Sequence, residues 1–219
     1  MAEFRLVHVN VVVLAESNNP RLLNPDFLER NKIVPENWTP TNVIVTPPFA
    51  TVPYEQGLTI SVEETKLQFA VDATRLLSWD ELLPGVVIRY LEVLPHVAYR
   101  AVGLNYTLFS DDPSGEAAEN ILITSMLKSG DWLDFCGGIT GVNLDLQYRK
   151  AQPYLSLRIA VRERVDGEHK VLEGFMVVAN CHHDFTPPDV ETRAAFIRQL
   201  SAKNKELQAL IKQLPLRAQ

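Results

Sequence analysis

Cys181, His182, His183 and Asp184 stand in an unbroken row near the end of a valine-rich run, "VVANCHHDF". A thiol, imidazoles and a carboxylate are the ligand types zinc takes, and a thiol beside an imidazole is the start of a cysteine nucleophile with its base. Spacing decides what they can do together. In an extended strand neighbouring side chains point to opposite faces. Only Cys181 with His183, or His182 with Asp184, then shares a side. Zinc needs three or four ligands, usually from pairs spaced C-x2-C or H-x3-H. The other candidates, Cys136, His8, His96 and His169, supply no second pair of that kind. The row therefore reads as a strand end with histidines near the surface. No metal and no cofactor are expected; His182, His183 and Cys181 are the residues to test for one.

Cys136 precedes two glycines in "DFCGGITG". A nucleophilic cysteine needs a base and a low pKa. A triad of Cys136, His183 and Asp134 can be written, but nothing in the sequence brings the three together. The glycines suit a tight turn from Trp132 into a strand at Ile139. The chain contains no G-x-x-x-x-G-K-[ST], G-x-G-x-x-G or G-x-S-x-G, which removes the main support for nucleotide binding and for an α/β-hydrolase. The acidic pairs Asp111–Asp112 and Glu63–Glu64 fall in predicted turns, where solvated carboxylates are ordinary.

The elements that would position these residues follow from pattern. "FRLVHVNVVVLAE" (4–16) reads as a central strand. Asn24 and Pro25 open a short helix. "VIVTPPFATVPY" (43–54) is extended but broken by prolines, which places it at an edge. "GLTISVE" and "KLQFAVDA" form a hairpin around Glu63–Glu64–Thr65, and 78–95 is a helix capped by Ser78 and stopped by Pro95. The order then recurs: a strand over 96–110, a helix over 114–130, strands near 139–148, 154–163 and 170–183, and a helix from about 189. The expectation is an α+β fold of antiparallel meander sheets covered by helices. It would comprise two similar β-α-β-β-β-α halves, 1–95 and 96–188, followed by a C-terminal helix over 189–219. This order resembles that of duplicated sheet-and-helix proteins such as the TATA-binding saddle, in topology only and without matching residues.

Two hairpins can be read at residue level. A turn at Ala151–Gln152 sets Val142 against Val161, Leu144 against Ile159, Leu146 against Leu157, Tyr148 against Leu155, and Asp145 against Arg158. A turn at Asp166–Gly167 sets Val161 against Leu172, Leu157 against Met176, Leu155 against Val178, and Glu163 against Lys170. Asn180 and His182 then lie on the core side with Met176 and Val178. The other face carries Asn143, Asp145, Gln147, Arg158, Arg162 and Glu173 with Phe175 and Val177, and is either solvated or a platform for a ligand or partner.

The most specific pattern is in the last helix. Ile197, Leu200, Asn204, Leu207, Ile211 and Leu214 are spaced three, four, three, four, three, a heptad seam with Ile at a, Leu at d and Asn at the middle a. Such a seam suits a parallel dimer whose buried Asn fixes register. It equally suits a helix packed on its own sheet, and Phe196 and Leu210 widen the stripe in that direction.

Bulk properties bound the rest. The 219 residues are 46% hydrophobic and 22% charged, with a formal net charge of -6. That composition is globular, and the acidic balance repels phosphate backbones, so nucleic acid is not an expected partner. Residues 185–219 carry six Lys or Arg against three Asp or Glu, giving this tail +3 and the remainder -9. No uninterrupted apolar run approaches the roughly 18 residues of a spanning helix, and no signal peptide is seen; the expectation is a soluble cytoplasmic chain with no membrane contact. The function expected is a non-catalytic binding or assembly protein, a homo-oligomer or a module for another protein, using the C-terminal helix or sheet edges. The alternative is a small metal-dependent or cysteine-based enzyme with Cys136, His182, His183 and Asp184 around one pocket.

Overall fold

The valine run near the start of the chain forms β1 (Arg5–Ala15) and lies near the middle of a nine-stranded sheet. The computed structural model describes residues 3–139, 141–148, 153–166, 169–185 and 190–216. After β1 come α1 (Pro25–Arg30), β2 (Ile44–Val45), β3 (Phe49–Pro53), β4 (Leu58–Glu63), β5 (Lys66–Asp72) and α2 (Trp79–Val93). Then follow β6 (Tyr99–Ser114), α3 (Gly115–Met126), β7 (Leu144–Tyr148), β8 (Tyr154–Asp166), β9 (His169–Asp184), α4 (Val190–Arg198) and α5 (Leu200–Ile211). The strand order is β2-β3-β4-β5-β1-β6-β9-β8-β7, and every neighbouring pair is antiparallel. The protein is thus α+β with an antiparallel sheet. Among the described residues, no helix is long and apolar enough to cross a membrane.

Strand alternation divides the sheet into two unlike faces. Val9, Val11 and Val13 of β1, Leu67, Phe69 and Val71 of β5, and Leu104, Tyr106 and Leu108 of β6 are buried on one side. The buried residues of the helices join them in one cluster: Leu28 of α1, Leu83 and Val87 of α2, Ala118 and Leu122 of α3, Phe196 and Ile197 of α4, Leu207 and Ile211 of α5. The alternate strand residues form a second face on which none of the described helices packs.

Two of the local signals have the expected outcome. Asn24 caps α1, its side chain accepting the Phe27 N–H at 2.9 Å. The proline-broken segment 43–54 supplies β2 at the sheet edge. The C-terminal segment expected as one long helix is instead two, α4 and α5, parted at Gln199. There the Gln199 N–H turns back to the Phe196 carbonyl at 3.0 Å, a tighter i→i-3 closure that interrupts the α-helical ladder.

The first of the two hairpins has the expected register: Leu144 faces Ile159, Leu146 faces Leu157, Tyr148 faces Leu155 and Asp145 faces Arg158. Its expected turn at Ala151–Gln152 lies outside the described residues. The second hairpin does not. Asp166 pairs with His169, so it is a strand residue rather than a turn residue, and Glu163 faces Leu172, not Lys170. A bulge then sets Glu173 and Gly174 against the single residue Arg162, and beyond it Val161 faces Phe175 and Leu155 faces Cys181. Gly174 stands at φ 59°, where a Cβ would be strained. One extra residue reverses the parity of a strand. Phe175, Val177, Ala179 and Cys181 therefore face the core, and Met176, Val178, Asn180 and His182 face the other way.

Candidate functional site

The bulge decides where the chemistry-bearing row lies. Cys181 and His183 share one side of β9, and His182 and Asp184 the other, as alternation requires; the sides are the reverse of those expected. Cys181 is buried, and that burial pushes its thiol up to about 11. His183 stacks on Phe196 of α4 at 4.9 Å between ring centroids and tilts against Phe185 at 5.3 Å. Its Nδ1 is buried without a hydrogen-bond partner. Burial holds its pKa below 6.5, with Asp184 opposing the shift and His182 adding to it. On the opposite face His182 Nε2 lies 2.8 Å from Asp184 Oδ1.

These groups do not converge. Cys136 is exposed at φ 54° on a 3-10 segment, Asp131–Gly137. Among the described residues no hydrogen bond joins it to Asp134, His182 or His183, and no group of three or more His, Cys, Asp or Glu is placed to hold a metal. A cleft of about 300 Å³ lies between the end of β1 and the end of α2, where Asn18, Asn19, Tyr90 and His96 line it. None of Cys136, Cys181, His182, His183 and Asp184 is in its wall.

The heptad stripe has its partner inside the chain. Ile197, Leu200, Leu207 and Ile211 are buried in the common core and Leu214 is packed against it. Asn204 is 9% exposed and its Oδ1 has no hydrogen-bond partner. The Tyr106 hydroxyl of β6 donates to the Leu200 carbonyl at 2.7 Å, tying the start of α5 to the sheet.

The helix-free face is what remains uncommitted. Directly opposed residues cross it as a row: Thr59, Ala70, Asn10, Asn105, Asn180, Ser156 and Gln147. At its centre Asn180 Nδ2 donates to Asn105 Oδ1 at 2.6 Å, and Asn105 Nδ2 donates to the Asn10 carbonyl at 3.1 Å. Gly103 makes room for this pair, since a Cβ there would come within 2.9 Å of Asn180 Nδ2. A parallel row places Thr51 Oγ1 2.9 Å from Ser61 Oγ. At the margin Arg158 grips Asp145 with two hydrogen bonds, 2.8 and 3.2 Å, which hold that carboxyl below the usual carboxylate range. Amides and hydroxyls on a broad wall can exchange hydrogen bonds with a partner; they offer no activated nucleophile and no proton acceptor tuned for catalysis.

Sequence reasoning did not single out Asn10, Asn105 or Gly103. The signal was an asparagine in the middle of each of two strands, "VHVNVVV" and "VGLNYTLF", on the side opposite the buried Val9, Val11, Leu104 and Tyr106. No protein-family model and no curated protein matches this chain.

Proposed function

We propose that the protein is a non-catalytic binding or assembly protein, acting through its sheet rather than through a reaction centre. One observation carries this reading: the residues able to do chemistry are divided between two faces of β9 and a separate surface segment, while a broad sheet face crossed by a row of amides and hydroxyls carries none of the described helices. Catalysis needs groups converging on one reacting atom, and partner recognition needs surface. The open face, and the sheet edges beyond it, are the surface available.

The topology supports reading the chain as two similar halves joined by a twofold axis between Asn10 and Asn105. In that reading β1 corresponds to β6, β5 to β9, β4 to β8, β3 to β7, and α2 to α4 with α5. A fused pair of this kind is an assembly unit already closed on one interface, with β2 and β7 as its outer edges.

The test against an enzyme or metal binder is metal analysis of the purified wild type beside a His182→Ala, His183→Ala double variant. The expected result is no stoichiometric metal in either. Zinc bound one-to-one by the wild type and lost from the variant would overturn the reading.

A further inference from the structure

We infer that β7 is an assembly edge that pairs antiparallel with β7 of a second copy of this chain; the inference rests on the assembly reading above and names its partner. An edge strand presents unpaired N–H and C=O groups that invite another strand, and proteins blunt such edges with prolines, bulges, lysines or very short strands. The two ends of this sheet differ in that respect. At one end β3 is covered by β2, which is two residues long and lies between Pro40 and the pair Pro47–Pro48. In the twofold reading the equivalent place is beside β7, and none of the described strands fills it. Leu144–Tyr148 contains no proline, lysine or arginine and pairs with β8 without a bulge. Its one charge, Asp145, is already engaged by Arg158.

The strand's own sequence selects the occupant. Antiparallel pairing about Leu146 sets Leu146 against Leu146 of the second copy, Leu144 against Tyr148, and Asp145 against Gln147. Apolar side chains then meet on the helix-bearing side, and carboxylate meets amide on the open side, the cross-strand matches that stabilise a sheet. Pairing about Asp145 would oppose two carboxylates. A β7–β7 contact also closes on itself as a twofold dimer, whereas β7 against β2 of another copy would propagate into a filament. One strand pair is small beside the ~1,200–2,000 Å² of a stable interface. Tyr148 of β7, at 44% exposed, supplies apolar surface to add to it.

The experiment is sedimentation of the full chain across ~1–100 µM, a range that separates weak from stable dimers. Leu146→Lys is the disrupting variant, and Ile44→Lys at the opposite edge is the control. The wild type is expected to sediment at twice 24.7 kDa. Opposed lysines should raise the dimer Kd about 100-fold in Leu146→Lys, with Ile44→Lys close to wild type. If Leu146→Lys fails to fold, an Asp145→Cys, Gln147→Cys variant in a Cys136→Ser background decides: a disulfide-linked dimer on a non-reducing gel supports the register. A wild-type dimer that Leu146→Lys leaves intact, with no cross-link formed, overturns the edge pairing and leaves the assembly reading standing. A wild type that stays monomeric throughout overturns the edge pairing and self-assembly together.

Discussion

Replacing Asn204 by leucine should stabilise the protein without changing its mass in solution. Asn204 sits in the middle of α5 with Leu200, Leu207 and Ile211 buried around it, and its Oδ1 is enclosed with no donor. A buried polar group left unpaired costs about 1–3 kcal/mol. Leucine also has the higher helix propensity, by about 0.4 kcal/mol. Against these, leucine branches differently from asparagine, and imperfect repacking can return up to about 1 kcal/mol. The net expectation is a gain of about 1–2 kcal/mol, or about 3–6 °C in Tm for a chain of this size. Urea unfolding followed by tryptophan fluorescence would show a higher midpoint at unchanged slope, and light scattering would show the same mass as wild type. The reasoning fails if Asn204→Leu lowers the midpoint, or if the oligomeric state changes. A change of state is what a heptad seam between chains would give when its register-fixing asparagine is lost.

Further outcomes follow from the same contacts. Tyr106→Phe removes the hydroxyl donor to the Leu200 carbonyl; it should cost about 1–2 kcal/mol, read as a lower urea midpoint. Native protein should react with a thiol reagent at Cys136 alone, because Cys136 is exposed while Cys181 is buried with its thiol pushed up to about 11. A denaturant should release the second equivalent, and two fast equivalents in the native protein would contradict the packing of β9. Burial lowers the pKa of both His8 and His183 from 6.5 in the folded chain. The unfolded chain therefore takes up protons first as the pH falls. Their contribution is complete above 6.5 and is lost as the pH drops through 6.5 toward the lower folded values. Urea midpoints measured from pH 7.5 to pH 5 should decline, and a His8→Gln, His183→Phe variant should flatten that decline.

What the sequence disclosed was set by how local the signals are. The valine run of β1, the Asn24 cap and the proline-broken edge are each fixed within a few residues. The β7–β8 register was legible because Leu144, Leu146 and Tyr148 match Ile159, Leu157 and Leu155 in only one alignment that puts them all on the core side. The β8–β9 register was not, because Asp166–Gly167 looks like a hairpin turn and the bulge lies several residues away. Gly174 inside a strand was the sign of it, and the run Phe175, Val177, Ala179, Cys181 is the more apolar of the two alternations. The candidate site suffered from the same slip: the pairing of Cys181 with His183 was right, and the face was wrong. The amide row is a property of seven strands lying side by side, so no single stretch could announce it. The heptad spacing was real, but the same stripe fits a neighbouring helix or a sheet, and only the fold shows it against the sheet.

The measurement that tests the central claim most directly is native mass spectrometry of the purified full chain. The account predicts a metal-free species at a multiple of 24.7 kDa. A monomer carrying one zinc would contradict it and return attention to Cys181, His182 and His183.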